Sequence, residues 1–275
     1  SRQEAAQMPA LLFELRDGIA YLTLNRPEVH NAINPELIVQ LAEAWRRVAA
    51  DDSIRVAIVT GAGDKAFSAG ADLARLMPLT TRERLPEDKW DHALLDNPGL
   101  RDIAMLHPFE MHTPIIAAVN GYCVAGGMEL MLATDIRVAA EHASFGLMEV
   151  KWGLIPYAGS LVRIPRQIPF CNAMELLLTG ERIDAHEARR LGLINHVVPA
   201  AQVMKKAEEL ARTIAANGPL AVRAIKQGVA RASGRPLEDG YKIENELARD
   251  VFSSADAKEG PRAFIEKRKP NFQGR

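Results

Sequence analysis

The sequence predicts an α/β core followed by a run of helices. Three short apolar stretches, RVAIVT (55–60), IIAAV (115–119) and DIRVAA (135–140), have the length and composition of buried strands, with a helical pattern between the last two. Strands alternating with helical stretches are the mark of an α/β design. From about Asn172 the character changes to helix after helix: NAMELLLTG, DAHEARRLG and then three longer ones.

The chain opens with a hairpin. Leu11, Phe13 and Leu15 alternate with other residues, Asp17-Gly18 is a turn dipeptide, and IAYLTLN resumes as a strand. Asn34-Pro35-Glu36 then starts a helix, because Asn caps, Pro suits the first helical position and Glu favours the helix dipole. Leu37, Leu41, Trp45 and Val48 give that helix one apolar stripe. Gly180 and Gly192 are placed as helix stops. There is no internal repeat, low-complexity tract or Ser/Gly linker to mark a cleanly separated second domain.

Composition excludes several classes of function. The 275 residues carry 34 Lys+Arg against 35 Asp+Glu, and a net charge of −1 does not suit a non-specific nucleic-acid coat. With 48% hydrophobic residues the chain is not disordered. Cys123 and Cys171 are too few for a disulfide scaffold, which fits a reducing, cytoplasmic location. No secretory signal is expected at the start, where Met8 to Phe13 is only a short apolar run. The stretch 114–133 reaches the roughly 20 residues of a membrane span. It contains Asn120, Glu129 and three glycines, however, and reads better as a buried strand, a tight turn and a buried helix.

Four segments are candidates for chemistry. GAGDKA (61–66) has the form of a dinucleotide fingerprint, but no helical periodicity follows it, so it reads as a surface turn. In AFSAGADL (66–73), Gly70 lets another molecule approach the main chain; Ser68 lacks the G-x-S-x-G setting of a serine nucleophile. In NGYCVAGGMEL (120–130), Gly126-Gly127 open a helix whose first N–H groups lack intrahelical partners. Glu129 in that helix and Glu149 in FGLMEVKWGLIP (145–156) both stand among apolar residues, where a carboxylate is expensive to bury. Two such glutamates suggest paired acid and base work. A two-carboxylate glycosidase would use the same residue types, but aromatics for sugar stacking make up only 5% of the chain. The seven histidines show no H-x-x-x-H or H-E-x-x-H spacing, so no metal site is expected.

LTLNRPEVHNAI, AFSAGADL, NGYCVAGGMEL, FGLMEVKWGLIP and AFIEKRKPNF occur in the order and approximate spacing of the enoyl-CoA hydratase (crotonase) family, which the chain resembles from about Leu11 to Phe272. The resemblance implies the crotonase-like fold: a stacked ββα spiral core over residues 1–195 and a helical region over 196–275 used for oligomerisation and coenzyme A contact. It implies an oxyanion hole made by the main-chain N–H groups of Ala71 and Gly126. It implies two catalytic glutamates, Glu129 to activate water and Glu149 to deliver a proton, in the syn hydration of a trans-2-enoyl-CoA.

By the same resemblance, His30, Ala32, Ala69, Gly70, Asp72 and Leu73 contact the substrate's coenzyme A portion, and Lys267 reaches its phosphates, often on a neighbouring subunit. Coenzyme A then arrives as substrate and no separate cofactor is needed. The expected partner is a second copy of the chain, in a homotrimer or a dimer of trimers, with neither nucleic acid nor membrane. Two features depart from the family pattern. Tyr157 in GLIPYAGSL replaces a glycine and is followed by Ser160-Leu161, and the segment from Leu73 to Thr113 is longer than usual and expected to form a mobile wall of the acyl pocket. Competing expectations are another crotonase-type reaction, such as an aromatic acyl-CoA hydratase/lyase or an isomerase, and a non-catalytic RNA-binding or assembly subunit.

Overall fold

A computed structural model describes residues 8–275 of the chain. The stretch before Met8, part of what was read for a secretory signal, lies outside the described residues. Strands β1 (Leu11–Arg16) and β2 (Ile19–Leu24) form the expected hairpin, with Arg16 opposite Ile19. Asp17 and Gly18 both take left-handed φ values, 52° and 74°, which match the two-residue turn favoured by strand twist. Helix α1 (Pro35–Ala50) follows, capped by the Asn34 side chain accepting from Leu37 N at 2.9 Å. Its four predicted stripe residues are all fully buried.

The chain then winds as a repeating strand–strand–helix spiral. Strands β3 (Val56–Gly61) and β4 (Ala66–Ser68) lead to three short helices, α2 (Leu76–Thr80), α3 (Lys89–Asp96) and α4 (Gly99–Ala104). Strands β5 (Ile115–Val119) and β6 (Tyr122–Val124) lead to α5 (Gly126–Leu132). Strands β7 (Ile136–Ala140) and β8 (Ser144–Gly146) lead through a 3-10 turn, Glu149–Trp152, to α6 (Ser160–Gln167) and α7 (Phe170–Thr179). Then come β9 (Ile183–Asp184), α8 (Ala185–Arg190) and β10 (His196–Val198). The first strand of each turn joins a six-stranded sheet ordered β1-β2-β3-β5-β7-β10, and the second joins a four-stranded sheet ordered β4-β6-β8-β9. Pairing is parallel within the spiral and antiparallel only at the outer pairs β1/β2 and β8/β9.

The second, three-residue strands were not anticipated, because three residues are too few to show a period. GAGDKA is the bend between β3 and β4, with no helix after it. The tail holds four long helices instead of three: α9 (Val203–Ala215), α10 (Pro219–Ala232), α11 (Leu237–Ser253) and α12 (Ala255–Ile265). Strand β10 and helix α9 lie beyond residue 195, yet β10 pairs with β7, and α9 packs across β3, β5 and β7. The 73–113 segment is helical and ion-paired: buried Asp91 accepts from Arg84 at 2.8 Å, and Arg75 meets Asp88 at 3.0 Å.

One side chain fastens the strand β2 exit to the β3–β4 bend. Asn31 is fully buried with φ 54°; its Oδ1 accepts from Arg26 N at 2.9 Å and its Nδ2 donates to Ala62 O at 3.0 Å and Ala66 O at 2.8 Å. Asn31→Ala leaves those groups unpaired and places a Cβ-bearing residue without a polar side chain in the left-handed region. We expect it to lower stability by about 3 kcal/mol, read as a shift of the urea midpoint at unchanged slope.

Candidate active site

The site begins where two turns of the spiral touch. After β4 the chain runs beside Ile33: Ile33 N donates to Gly70 O at 2.7 Å, and Asp72 N donates to Ile33 O at 2.9 Å. That alternation turns the N–H of Ala71 the other way, and among the described residues it has no partner. Gly70 has φ 87°, and a Cβ on it would lie 2.7 Å from Ala125 Cβ and 2.8 Å from Gly126 N. Only a glycine lets these segments meet.

Helix α5 starts from a strained residue. Ala125 has φ 49° and ψ −130°, far from the usual basins of a non-glycine residue, and is held by its N–H donating to Gly146 O at 2.8 Å. The N–H of Gly126, at the first helical position, also has no partner among the described residues. A Cβ on Gly126 would stand 3.6 Å from Ala71 N, so the two free donors are neighbours. Both residues line a cavity of about 160 Å³, together with Glu129, Tyr157, Ile33 and Leu76.

Glu129 lies one turn along α5 and is only 5% exposed. Ser160, fully buried at the start of α6, donates its hydroxyl to Glu129 Oε1 at 3.0 Å. Burial raises the Glu129 pKa, while the Ser160 hydroxyl, the N–H groups of Ala158 and Ser160, and the charge of Arg163 oppose the rise. Glu149 has fewer compensations. Burial pushes its pKa up to about 7, the Glu129 charge adds to the rise, and its Oε2 is buried without a hydrogen-bond partner. Glu149 does not itself line the cavity, although it is close enough to Glu129 to feel its charge. Two carboxyls thus sit together in unequal settings, one supplied with donors and one bare. That arrangement suits one base and one acid at neutral pH.

The other expected residues take varied places. His30 is exposed, its carbonyl accepts from Ala69 N at 2.9 Å, and its ring stands edge-on to Tyr122 at 6.3 Å. The Ala32 carbonyl is occupied by Arg26 Nη1 at 2.6 Å. Asp72 is buried; Arg26 binds it at 2.9 Å, and its Oδ1 caps Ala74 N and Arg75 N at 3.0 and 2.9 Å. Its carboxylate is therefore committed inside the protein. Leu73 is exposed beside the cavity-lining Ala71, and Tyr157 reaches the cavity while remaining mostly exposed. Lys267 lies past α12, exposed, and is not among the cavity residues of its own chain.

Sequence reasoning missed two supports. Ser160 was noted only as a departure, and Arg163 not at all. Arg163 is half-buried and donates to Ala158 O at 3.2 Å, Met105 O at 3.4 Å and the Leu106 carbonyl, tying the Tyr157–Gly159 stretch to the end of α4. A signal for Ser160 did exist: a hydroxyl at the first position of an amphipathic helix, just after a glycine at φ 106°. No group of His, Cys, Asp and Glu among the described residues could hold a metal ion. No helix among them is long and apolar enough to cross a membrane.

Residues 14–275 match the enoyl-CoA hydratase/isomerase family. The chain belongs to this family. It is 45% identical over 267 residues to the enoyl-CoA hydratase EchA19 of Mycobacterium tuberculosis, covering 97% of each chain. It is 41% identical over 268 residues to an (E)-benzylidenesuccinyl-CoA hydratase of Thauera aromatica, covering 97% of this chain and all of the relative. Among solved structures, the enoyl-CoA hydratase EchA1 of Mycobacterium marinum superposes with a TM-score of 0.87 at 39% identity, over 98% of this chain and 100% of that one. The ββα spiral is the crotonase fold, and the protein is an enzyme of the crotonase family acting on coenzyme A thioesters.

The bare carboxyl of Glu149 has a consequence for stability. Its folded pKa of about 7 lies above the ordinary carboxyl value, so the folded chain holds a proton that the unfolded chain has released. Stability contributed by that proton is present below the ordinary carboxyl range and lost as pH rises through about 7. Urea denaturation at pH 5.5 and 8.5, chosen as about 1.5 units either side of neutrality, is expected to show this loss in wild type. Glu149→Gln should reduce it.

Proposed function

We propose that the protein is an enoyl-CoA hydratase that adds water syn across the 2,3 double bond of a trans-2-enoyl-CoA to give a 3-hydroxyacyl-CoA. The observation that carries this reading is the pair of neighbouring glutamates, Glu129 buried and Glu149 half-buried, beside two adjacent unpartnered N–H groups. The relatives named as hydratases support the same reaction type.

In this reading the thioester carbonyl oxygen accepts from Ala71 N–H and Gly126 N–H. Glu129, held by Ser160, takes a proton from water as its oxygen bonds to C3. The electron pair of the double bond moves onto the thioester as an enolate, which the two N–H groups stabilise by about 3 kcal/mol each. Glu149 gives its proton to C2, and the enolate collapses to the thioester. Glu129 ends protonated and Glu149 ionised, and proton exchange with solvent resets them. The reaction calls for no cofactor beyond the coenzyme A of the substrate. His30, Ala32, Ala69, Gly70 and Leu73 form the rim along which the pantetheine and adenine would lie, and Asp72 holds that rim in shape through Arg26. Because net charge is −1, coenzyme A phosphates need local cations, and Lys267 is the candidate, supplied by a neighbouring subunit.

Assembly into a homotrimer or a dimer of trimers fits the surface of the tail. Helices α10 and α11 expose Ile225, Val229, Leu237, Tyr241 and Phe252 around an apolar groove of about 520 Å³. Contiguous exposed apolar surface of this kind marks an interaction site.

Two outcomes test the proposal. Glu129→Gln and Glu149→Gln are each expected to lower kcat for trans-2-enoyl-CoA hydration by about 10²- to 10⁴-fold, with KM changed far less; full activity in either variant defeats the two-glutamate assignment. Light scattering should find a trimer or hexamer of the 30.2 kDa chain, and Val229→Asp should release smaller species.

A further inference from the structure

The cavity that holds the two free N–H groups also carries polar side chains, and its charge is unbalanced in one specific way. Leu76, Met77 and Thr80 of helix α2 line its wall. Helix α4 brings Arg101 to the same wall, where its Nη2 donates to Thr80 Oγ1 at 2.7 Å. That is its one side-chain hydrogen bond among the described residues, and no carboxylate among them comes within 4.0 Å. A guanidinium has five N–H donors and a fixed charge. Two other arginines of this segment have carboxylate partners: Arg84 lies on Asp91, and Arg75 on Asp88.

Asp102 and His107 also reach the cavity. Asp102 Oδ1 faces His107 Nδ1 at 3.6 Å, and the Asp102 side chain is 58% exposed, so this carboxylate is directed to the histidine and to solvent. Arg101 remains the cation without a counter-charge. The same wall includes the apolar side chains of Ile33, Ile38 and Met105. A cavity of about 160 Å³ has space for on the order of five water-sized groups. A short acyl chain held in this cavity would therefore meet the guanidinium.

We propose that Arg101 receives a carboxylate at the distal end of the acyl group, so that the preferred substrates are enoyl-CoA monothioesters of short dicarboxylic acids. The proposal rests on the acyl-CoA reading above for the position of the thioester. Arg101 is a specificity residue here and takes no part in proton transfer. Coenzyme A phosphates share the anionic chemistry that a guanidinium recognises, and the test separates the two sources.

The experiment compares kcat/KM for trans-2-enoyl-CoAs of equal length ending in a carboxylate, a methyl ester or a trimethylammonium group. Wild type is expected to favour the carboxylate over the ester by about 10- to 100-fold, as a charge-assisted pair implies. In Arg101→Gln that ratio should fall to near one, and in Arg101→Glu the ammonium substrate should overtake the carboxylate. The same ratios measured with pantetheine thioesters, which lack the nucleotide phosphates, should persist; their disappearance assigns Arg101 to coenzyme A and overturns the proposal. Equal wild-type rates on carboxylate and ester, or a ratio unchanged in Arg101→Gln, overturn it as well. Calorimetric binding of saturated acyl-CoAs with the same three termini reads the Arg101 preference without turnover. Absent hydration with a preserved binding preference therefore counts against the hydratase reading and not against Arg101.

Discussion

The closeness of Gly70 to the start of α5 is the constraint on which the site depends. Two successive turns of the spiral can stack at this distance only because no Cβ stands between them, and a Cβ at Gly127 would likewise lie 2.3 Å from Ser68 O. Ser68 is itself tied down, donating to Asn31 O at 2.9 Å while Gly70 N donates to its hydroxyl at 3.2 Å. A chain of hydrogen bonds therefore runs from the Asn31 turn through Ser68 to Gly70. The free N–H of Ala71 and the free N–H of Gly126 become neighbours as a result of stacking. Neither element could present both donors alone.

The second level of control is electrostatic. Two carboxyls buried near each other do not ionise independently, and what separates them is the supply of donors. Helix α6 provides that supply for Glu129 through Ser160 and the preceding Ala158 N–H. Arg163 closes the arrangement by pinning the Ala158 carbonyl and the α4 end, so the same few residues hold the carboxylate and shape the cavity wall. Glu149, at the start of a 3-10 turn with one oxygen unpartnered, stays the more easily protonated of the two. The different positions of the glutamates in their elements, and not a difference in residue type, set their different chemistry.

Features legible in the sequence were those encoded within a few residues. Asp17-Gly18, the Asn34 cap, the apolar stripe of α1 and the Gly180 stop each act locally, and the structure has each where the sequence placed it. Glu129 and Glu149 were legible because a carboxylate in apolar surroundings is costly wherever the chain goes. The strands β4, β6 and β8 were not, since their character comes from pairing with one another across the spiral. Ser160 meets a residue 31 positions away, and Arg163 meets carbonyls 57 and 58 positions away; nothing next to them in sequence announces those contacts. Asp72 shows the reverse case. Its loop reads as a ligand loop, but its carboxylate is used up by Arg26 and by the turn it caps.

Helix α10 is joined to this core by side-chain bonds from two cations, Arg223 to Asp52 and a half-buried Lys226 to Asp135. Lys226 on α10 donates to Asp135 Oδ2 at 2.7 Å and to Thr113 O at 2.9 Å, while the same carboxylate oxygen accepts from Ile115 N at 2.7 Å. Burial lowers the Lys226 pKa and Asp135 opposes the fall, so the pair depends on both partners remaining in place. Asp135 thereby fixes the start of β5, the entry to β7 and the seating of α10 at once. Strand β5 leads directly to β6 and the Gly126 turn, which means the helix pair with the exposed apolar face is referenced to the strand that positions the free Gly126 N–H. The exposed apolar face of α10 and α11 is thereby held to the parallel sheet and not to the loops around the cavity.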